Sequence, residues 1–469
     1  MEGDVSIRAF LILALWVPIA AAAFASTKPE KAALLVVLGA ILFLPERAAF
    51  DLPALPPLDK NGIGIFCAFL GMLVFARRKV IAAKPLRGVD LFFVLIVLAN
   101  VGTALTNGDP LMYGGGMDYD GVTPLPPIIL PGTRVYDILS MTVRDVIGIY
   151  MPFLIGRVLI RDRESVKWLL QATVIGGLAY VPLMLLEMRL SPQLHNWVYG
   201  YYATFFGHAV RGSGFKPMVF MAGGLAVAIY CFMAVMSAAI LQRARQRIGP
   251  IPAMVALALL WITLLGSRNM GANIFAVVCV PLVLLPTKRL AVRVATALVV
   301  LVIVFPTTRA TQAFPTEELV QFSAKYNVER AESLAFRFRN EDILLDKAQE
   351  RIWFGWGGFG RNRVFDERGK DISVTDGEWI IRLGMRGIFG YVGSFGLLLF
   401  PVLMARRRTT KIHDPTDRRI MGGLALLVAA NAVDLLPNGL FNNLPFLYAG
   451  ALAGLVSGSK RSDNTRNAR

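Results

Sequence analysis

Runs of about 20 largely apolar residues recur along nearly the whole 469-residue chain, and this feature limits the folds open to it. A helix of about that length crosses the hydrocarbon core of a bilayer. The sequence therefore predicts an all-α, polytopic integral membrane protein with about 12–13 transmembrane helices. The predicted spans are residues 8–26, 31–45, 61–76, 88–105, 136–157, 166–187, 218–241, 250–266, 270–286, 289–307, 378–404, 419–436 and 440–458.

Composition excludes the main alternatives to a membrane protein. Charged residues make up 17% of the chain and hydrophobic residues 55%, whereas about 25% of the residues in a soluble domain are charged. An ordinary soluble enzyme and a disordered protein are both excluded on this ground. The three cysteines lie inside apolar runs and predict neither a disulfide framework nor a metal site; they are Cys67, Cys231 and Cys279.

The first apolar run, residues 8–26, has two interpretations. Its small residues resemble a signal-peptidase site. Glu2 and Asp4 make a poor basic region in front of it, however, and the run is long for a signal peptide. We therefore favour an uncleaved first transmembrane helix.

The basic residues predict the orientation of the chain. Lys and Arg outnumber Asp and Glu by 49 to 32, and they cluster in every second connection between apolar runs. Cytoplasmic loops carry this excess in membrane proteins, so the pattern indicates topology rather than nucleic-acid binding. With 13 spans, the N-terminus lies outside. The predicted cytoplasmic clusters lie within residues 77–87, 157–167, 243–247, 288–293, 406–419 and 460–469.

The longer polar connections fall on the opposite side of the predicted membrane. They are residues 106–135, 188–217 and 308–377. Because long irregular loops often carry function, we expect the protein to act on its outer face. The chain divides into N-terminal transmembrane helices (1–307), an extracytoplasmic helical loop (308–377), C-terminal transmembrane helices (378–458) and a basic cytoplasmic tail (459–469).

The long loop carries helical periodicity between Val328 and Ile352. Asn340, which precedes two acidic residues, predicts the N-cap of a fresh helix. The GWGGFG segment that follows resembles a phosphate-binding glycine loop, but that motif requires a preceding strand in a βαβ unit. We favour a tight turn with an interfacial aromatic belt, formed by Trp353, Phe354, Trp356 and Phe359.

Three polar segments lie at the predicted outer ends of spans. FFGHAVRGSGFKP holds Arg211 and Lys216, LLGSRNMGAN holds Arg268, and SVTDGEWIIRLG holds Asp376 and Glu378. Each arginine alone fits an interface anchor whose charge reaches the lipid headgroups. Three such features on one face favour a shared site instead. Because a guanidinium is a planar and permanently charged fork, that site suits phosphate.

Taken in this order, the segments resemble the O-antigen ligase and Wzy-type polymerase superfamily. The resemblance covers roughly residues 140–455 and implies a GT-C-like glycosyltransferase architecture. Asp376 stands where the family has a loop histidine, which is a departure from the pattern. The matching motifs are the Arg211-Gly-Ser-Gly segment, the Ser267-Arg268 turn, the Gly-rich stretch 353–360, and Asp376 to Trp379 followed by Gly384 and Gly387.

The resemblance implies glycosyl transfer at the periplasmic face of a bacterial inner membrane. The donor is a polyprenyl-diphosphate-linked glycan, and a hydroxyl of an acceptor glycan or lipid attacks its anomeric carbon. Arg211 and Arg268 stabilise the leaving diphosphate, while Asp376 orients the acceptor hydroxyl as a base. No metal or other cofactor is expected, and other polysaccharide assembly proteins are further partners. The substrate-binding residues are Lys216, Arg337, Arg339, Glu378 and Trp356.

Several assignments keep an alternative. Asp376 also fits an N-cap of the following helix, and Arg337 and Arg339 also fit helix surface charge. Arg144 and Asp145 predict an intramembrane ion pair of structural type. A transporter or lipid-glycan flippase is the alternative function, although the two halves of the chain show no repeat. The sequence leaves polymerase and ligase equally open.

Overall fold

The computed structural model describes residues 4–51, 56–115, 126–211, 214–285, 287, 289–439 and 443–467, with the backbone alone for His208, Arg211 and residues 460–467. Within these ranges the chain forms eighteen α-helices. The first nine are α1 (Ile7–Ser26), α2 (Pro29–Phe43), α3 (Lys60–Phe75), α4 (Arg77–Ala83), α5 (Leu91–Thr106), α6 (Val135–Asp145), α7 (Met151–Leu159), α8 (Arg163–Leu190) and α9 (Leu194–Tyr199). The others are α10 (Gly224–Arg243), α11 (Ala253–Gly266), α12 (Met270–Leu284), α13 (Leu290–Ala310), α14 (Thr316–Ala324), α15 (Val328–Gln349), α16 (Glu378–Thr409), α17 (Pro415–Asp434) and α18 (Asn443–Asn467).

Three short antiparallel hairpins supply the β-strands of the described residues, and all three lie in predicted outer loops. They close these loops, and the buried apolar core is formed mainly by helices, with connecting residues such as Ala48, Tyr201 and Val219 included. The pairs are β1 (Ala49–Phe50) with β2 (Leu58–Asp59), β3 (Leu111–Tyr113) with β4 (Ile128–Leu130), and β5 (Val210–Arg211) with β6 (Gly214–Phe215).

Every predicted span overlaps a helix, although residues 218–223 of the seventh span precede α10 and residues 440–442 of the last span lie outside the described residues. In the part of the chain that the structure describes, seven helical stretches are long and apolar enough to cross a membrane, while α3, α11 and α12 are apolar but shorter. The all-α, polytopic membrane class is therefore confirmed. Of the 12–13 predicted spans, seven correspond to helical stretches that meet the criteria of length and composition. The seven are α1, Gly88–Thr106, Val135–Leu159, α8, α10, α13 and α16.

The contact between α7 and α18 shows how small residues hold this bundle together. A Cβ atom added at Gly450 would overlap the backbone carbonyl of Phe153, and one added at Gly156 would overlap that of Leu447. The two backbones therefore approach as closely as glycine allows. Membrane helices associate through such close packing, because burial of apolar surface alone gains little against lipid tails.

Contacts between loops divide them into two sets, as an alternating topology requires. Among the predicted outer loops, the Glu46 backbone N–H donates to Nε2 of His195 at 3.1 Å. Among the predicted inner loops, Arg163 pairs with Asp414 at 3.4 Å. These pairs join segments that are distant in sequence but were assigned to the same side by the positive-inside pattern.

Cysteine labelling should place the long loop and the 406–419 connection on opposite sides of the membrane. Tyr326 is 78% exposed, and Lys411 is exposed at the other end of the bundle. We expect a membrane-impermeant maleimide to label a Tyr326→Cys thiol in right-side-out vesicles, and a Lys411→Cys thiol only after permeabilisation. The unsubstituted protein is the control for Cys67, Cys231 and Cys279. The reverse pattern would contradict both the topology and the outer-face site.

Candidate functional site at the outer end of the bundle

Asp376 lies at the mouth of α16 and is held by a residue of the long loop. Its Oδ2 lies 3.6 Å from Nε of Arg337, and the two side chains are 34% and 38% exposed. The N-cap of α16 is Gly377, which makes no side-chain capping bond. The alternative of Asp376 as the helix cap is therefore wrong. The carboxylate is instead accessible beside a fixed guanidinium.

Arg337 lies on α15 and connects this helix with the start of α16 and with the turn between α17 and α18. Besides the Asp376 carboxylate, it reaches the turn between α17 and α18, where Nη1 donates to the carbonyl of Pro437 at 3.5 Å. Its neighbour Arg339 is exposed. Of these two predicted substrate-binding arginines, Arg337 thus lies at the mouth of α16, whereas Arg339 faces away on the helix surface.

The helix α15 is continuous, which corrects the predicted helix start at Asn340. The side chain that caps α15 belongs to Asn327, which accepts from the N–H of Arg330. Asn340 lies in the helix interior and is buried. Its amide donates to Phe336 and accepts the N–H of Val374 at 2.8 Å. The acidic pair after Asn340 has the sequence pattern of a helix N-terminus. The Asn340 side chain instead bonds Val374 and so holds the C-terminal end of the long loop against α15.

A cavity of about 220 Å³ lies next to Asp376, between α3, α10, α17 and α18. Leu435 lines it, and its carbonyl accepts the N–H of Glu378 at 3.0 Å. Gly439 also lines it, and a Cβ atom there would lie 3.0 Å from the carbonyl oxygen of Asp376. The N-terminal end of α16 is therefore in contact with residues that line the cavity.

Arg268 is brought against the hairpin that carries Arg211. It lies in the three-residue turn between α11 and α12 and adopts a left-handed backbone with a φ of 56°. Its guanidinium packs on Gly214 so closely that a Cβ atom there would overlap it. Gly214 is the direct strand partner of Arg211. The guanidinium of Arg268 thus lies beside the hairpin that carries Arg211, although the two residues come from separate loops.

The helix α15 also connects the Arg268 turn with Asp376. Arg330, near the start of α15, contacts the sulfur of Met270, two residues after Arg268. Arg337 contacts Asp376 from a position seven residues further along the same helix. At 1.5 Å per residue, the backbone positions of the two arginines are about 10 Å apart along the axis. The start of α12 and the Asp376 carboxylate therefore contact the same helix about two turns apart.

Lys216 lies where the hairpin leads into the cavity wall. Its backbone N–H donates to Ala209 at 2.8 Å, and its side chain packs on Gly224 at the start of α10. Between them, the N–H groups of Met218 and Val219 both donate at 2.7 Å to a buried carboxylate of α8, Glu187. The sequence offered little signal for Glu187, because it resembles any acidic residue at a span end.

Glu378 is buried and holds an internal ion network instead of facing an open site. It pairs with Arg382 at 2.7 Å, and Arg382 also lies 3.3 Å from Asp145. The Asp145 carboxylate further accepts from Asn100 at 2.9 Å. The predicted Arg144–Asp145 pair is therefore wrong, because consecutive helical residues point about 100° apart and Arg144 is exposed. The network fixes the start of α16 and hence the position of Asp376.

Trp356 is buried, so its side chain offers no exposed surface for the predicted contact with substrate. Its Nε1 donates to the carbonyl of Lys347 at 2.6 Å. The ammonium of Lys347 and the guanidinium of Arg351 lie 3.6 and 4.2 Å from its ring centroid, as in cation–π contacts. The predicted aromatic belt is reduced to Trp353 and Phe359, which are exposed. The segment itself docks on α16, where the Trp356 N–H donates to Gly384.

His195 is a structural residue of the outer loops. Nδ1 lies 2.8 Å from the carbonyl of Tyr201, and Nε2 accepts the N–H of Glu46 at 3.1 Å. These two bonds require the neutral tautomer with the proton on Nδ1. Burial lowers the pKa of His195 to about 4, although the Tyr201 carbonyl opposes this effect. A ring that is buried, neutral and fully bonded is a poor candidate for a catalytic acid or base.

Acid should destabilise the outer loops through His195. Because its folded pKa of about 4 lies below the unfolded value, its stabilising contribution is complete above about pH 6.5 and falls as the pH drops toward 4. The complete loss amounts to about 3 kcal/mol. We expect the melting temperature at pH 5 to fall below that at pH 7, and His195→Gln to reduce this difference. An undiminished difference in the variant would contradict the assignment.

The described residues contain no group of three or more His, Cys, Asp or Glu side chains that could hold a metal ion. No protein-family model matches the sequence, and no curated protein matches it significantly. The function must therefore be argued from the site alone.

Proposed function

We propose that this membrane protein transfers a glycan on its outer face, from a polyprenyl-diphosphate-linked donor to a hydroxyl of an acceptor glycan or lipid. The observation that carries the proposal is the position of α15. It pairs with Asp376 through Arg337, and Arg330, seven residues earlier on the helix, contacts Met270 at the start of α12, two residues after Arg268. The backbone positions of Arg330 and Arg337 are about 10 Å apart along the helix axis.

In the proposed reaction, the acceptor oxygen forms a bond to the anomeric carbon of the donor. The bond from that carbon to the diphosphate oxygen breaks, and its electron pair leaves with the diphosphate. Asp376 accepts the proton of the attacking hydroxyl. Arg268 and Arg211, with Lys216 nearby, bind the leaving group, where negative charge develops in the transition state.

The residues around the site support distinct roles. Arg337 orients the Asp376 carboxylate, while the buried Glu378–Arg382 pair fixes the helix start that carries it. Trp356 holds the glycine-rich segment against α16 from inside the fold. These three groups act through position, so their substitution should alter the rate by displacing Asp376.

A transporter or lipid-glycan flippase is the second candidate. The buried network of Asp145, Arg382 and Glu378 favours it, because ionisable groups within spans often mark transport pathways. In the described residues, however, these groups are paired with one another. Such mutual pairing equally serves to hold α6 and α16 together, so the network supports transport less than the outer-end site supports transfer.

Deleting the gene and analysing the surface glycan tests the proposal in cells. A polymerase predicts loss of polymer with single repeat units retained. A ligase predicts polymer that stays on the lipid carrier. Glycan intermediates that accumulate on the cytoplasmic side would instead support a flippase and overturn the proposal. An unchanged glycan would also count against it.

A further inference from the structure

The cavity beside Asp376 has walls of two kinds. Apolar residues form most of its lining, and polar residues of α3, α17 and the connection between α2 and α3 form the remainder. One of its lining residues, Gly439, is exposed at the outer end of the bundle. The polar lining residues are Glu46, Lys60, Asn61, Asn431 and Asp434, and the apolar ones include Ile41, Met221, Ile229, Met233 and Leu444.

Asn431 is the residue that points to a ligand. Its side chain lines the cavity and is only 3% exposed. In the described part of the chain, neither its amide nitrogen nor its amide oxygen has a hydrogen-bond partner. Burying such a group without partners is unfavourable. Both amide atoms have less than 1 Å² of accessible surface, so a bond to a ligand in the cavity requires the Asn431 side chain to turn toward it.

The charges of the cavity indicate what can enter. Lys60 is 2% exposed and pairs with Glu46 at 2.7 Å, while its ammonium also donates to the carbonyl of Phe220. This pair is neutral overall. Asp434 adds one carboxylate, which accepts from Asn438 at 2.9 Å. A lining with no unpaired cation repels a diphosphate, so that group is expected to stay at the arginines outside.

The size of the cavity restricts the ligand further. A volume of about 220 Å³ is below the roughly 300 Å³ at which pockets for drug-sized ligands begin. It accommodates one small ring and neither an oligosaccharide nor a polyprenyl chain. A sugar ring presents C–H groups to apolar walls and hydroxyls to amide and carboxylate groups, which matches this mixed lining.

We propose that the cavity binds a single uncharged sugar ring of the acceptor, with the amide of Asn431 bonding its hydroxyls. The ring would then lie near Asp376, whose backbone carbonyl borders the lining residue Gly439. This inference rests on the proposed function, because it assigns the ring to the acceptor. The binding of a neutral sugar in the cavity can nevertheless be measured without any transfer reaction.

Asn431→Leu separates a binding role from a structural one. It removes an amide that has no partner in the described fold, so we expect the melting temperature to stay the same or rise. Asn100→Leu is the matched control, since the Asn100 amide is also buried within a span but donates to Asp145. That variant should lower the melting temperature. A clear decrease for Asn431→Leu would overturn the proposal.

The binding probe is the set of neutral monosaccharides released by acid hydrolysis of the wild-type cell's surface glycan. Saturation-transfer NMR on the purified protein should detect one of them, and Asn431→Leu should weaken its binding about tenfold or more. Ala226→Leu fills the cavity from α10 and should have the same effect without touching Asn431. Binding that is absent in the wild type, or unchanged in both variants, would overturn the proposal.

The two proposals can fail separately. Lost sugar binding in both variants, together with a wild-type protein that transfers no glycan, would retain the cavity as a sugar site and reject the transferase. Normal transfer with unchanged sugar binding in both variants would retain the transferase and reject the cavity.

Discussion

Arg268→Lys should lower glycan transfer at least about tenfold while leaving the protein inserted at normal levels. The guanidinium lies against Gly214, next to the strand position of Arg211, and therefore faces the hairpin. Lysine retains the positive charge and the same backbone conformation, but it lacks the planar fork that binds two phosphate oxygens at once. The loss should thus report the geometry of diphosphate binding rather than charge.

Arg189→Lys is the matched control for this experiment. Arg189 lies in the last turn of α8, at the same end of the bundle, and is exposed. A headgroup anchor tolerates lysine, because the flexible ammonium side chain also reaches the interface. Transfer should therefore be normal in the control and reduced in Arg268→Lys and Arg211→Lys. Normal transfer in both of the latter would contradict the shared diphosphate site.

Asp376→Asn should reduce transfer by about 100-fold or more, because general base catalysis typically contributes at least that factor. Asparagine has nearly the same shape and keeps an oxygen that Arg337 can approach, but it cannot take up the proton of the attacking hydroxyl. Since Gly377 is the N-cap of α16, the substitution removes no capping bond. The rate of transfer and the amount of folded protein are measured together.

Asp342→Asn is the control for losing an ion-paired carboxylate of the same loop. Asp342 lies on α15, is 54% exposed and pairs with Arg309 at 2.7 Å. Its partner Arg309 lies on α13, so the substitution removes no ion pair with Asp376 and should leave transfer nearly unchanged. Equal reductions in the two variants would indicate that Asp376 matters only as a partner of Arg337. Near-normal transfer by Asp376→Asn would remove its role as a base.

The features that the sequence predicted well depend only on neighbouring residues in the chain. Apolar runs of sufficient length placed helices at every predicted span, because a helix satisfies its own backbone within one segment. The Ser267-Arg268 turn was equally visible, since only three residues separate α11 from α12. The approach of Arg268 to the Arg211 hairpin needed the structure, because it depends on how α8, α10 and α11 pack.

The features that the sequence missed depend on partners far away in the chain. Asp145 pairs with Arg382, which is 237 positions away, and no local pattern reveals this. Asn340 was mispredicted as a helix N-cap, because its hydrogen-bond partner, the Val374 N–H, lies 34 positions further along the chain. Asn431 carried a usable signal, since a polar residue inside an apolar helix suggests a functional site. Its bonding state, however, is visible only in the folded protein.

The most direct measurement uses the purified protein in proteoliposomes that contain a polyprenyl-diphosphate-linked glycan and an acceptor. The account predicts release of one polyprenyl diphosphate for each new glycosidic bond, with Asp376→Asn and Arg268→Lys both defective in that release. Movement of the intact donor across the bilayer, without release of diphosphate and without a new bond, would contradict the account and identify a flippase.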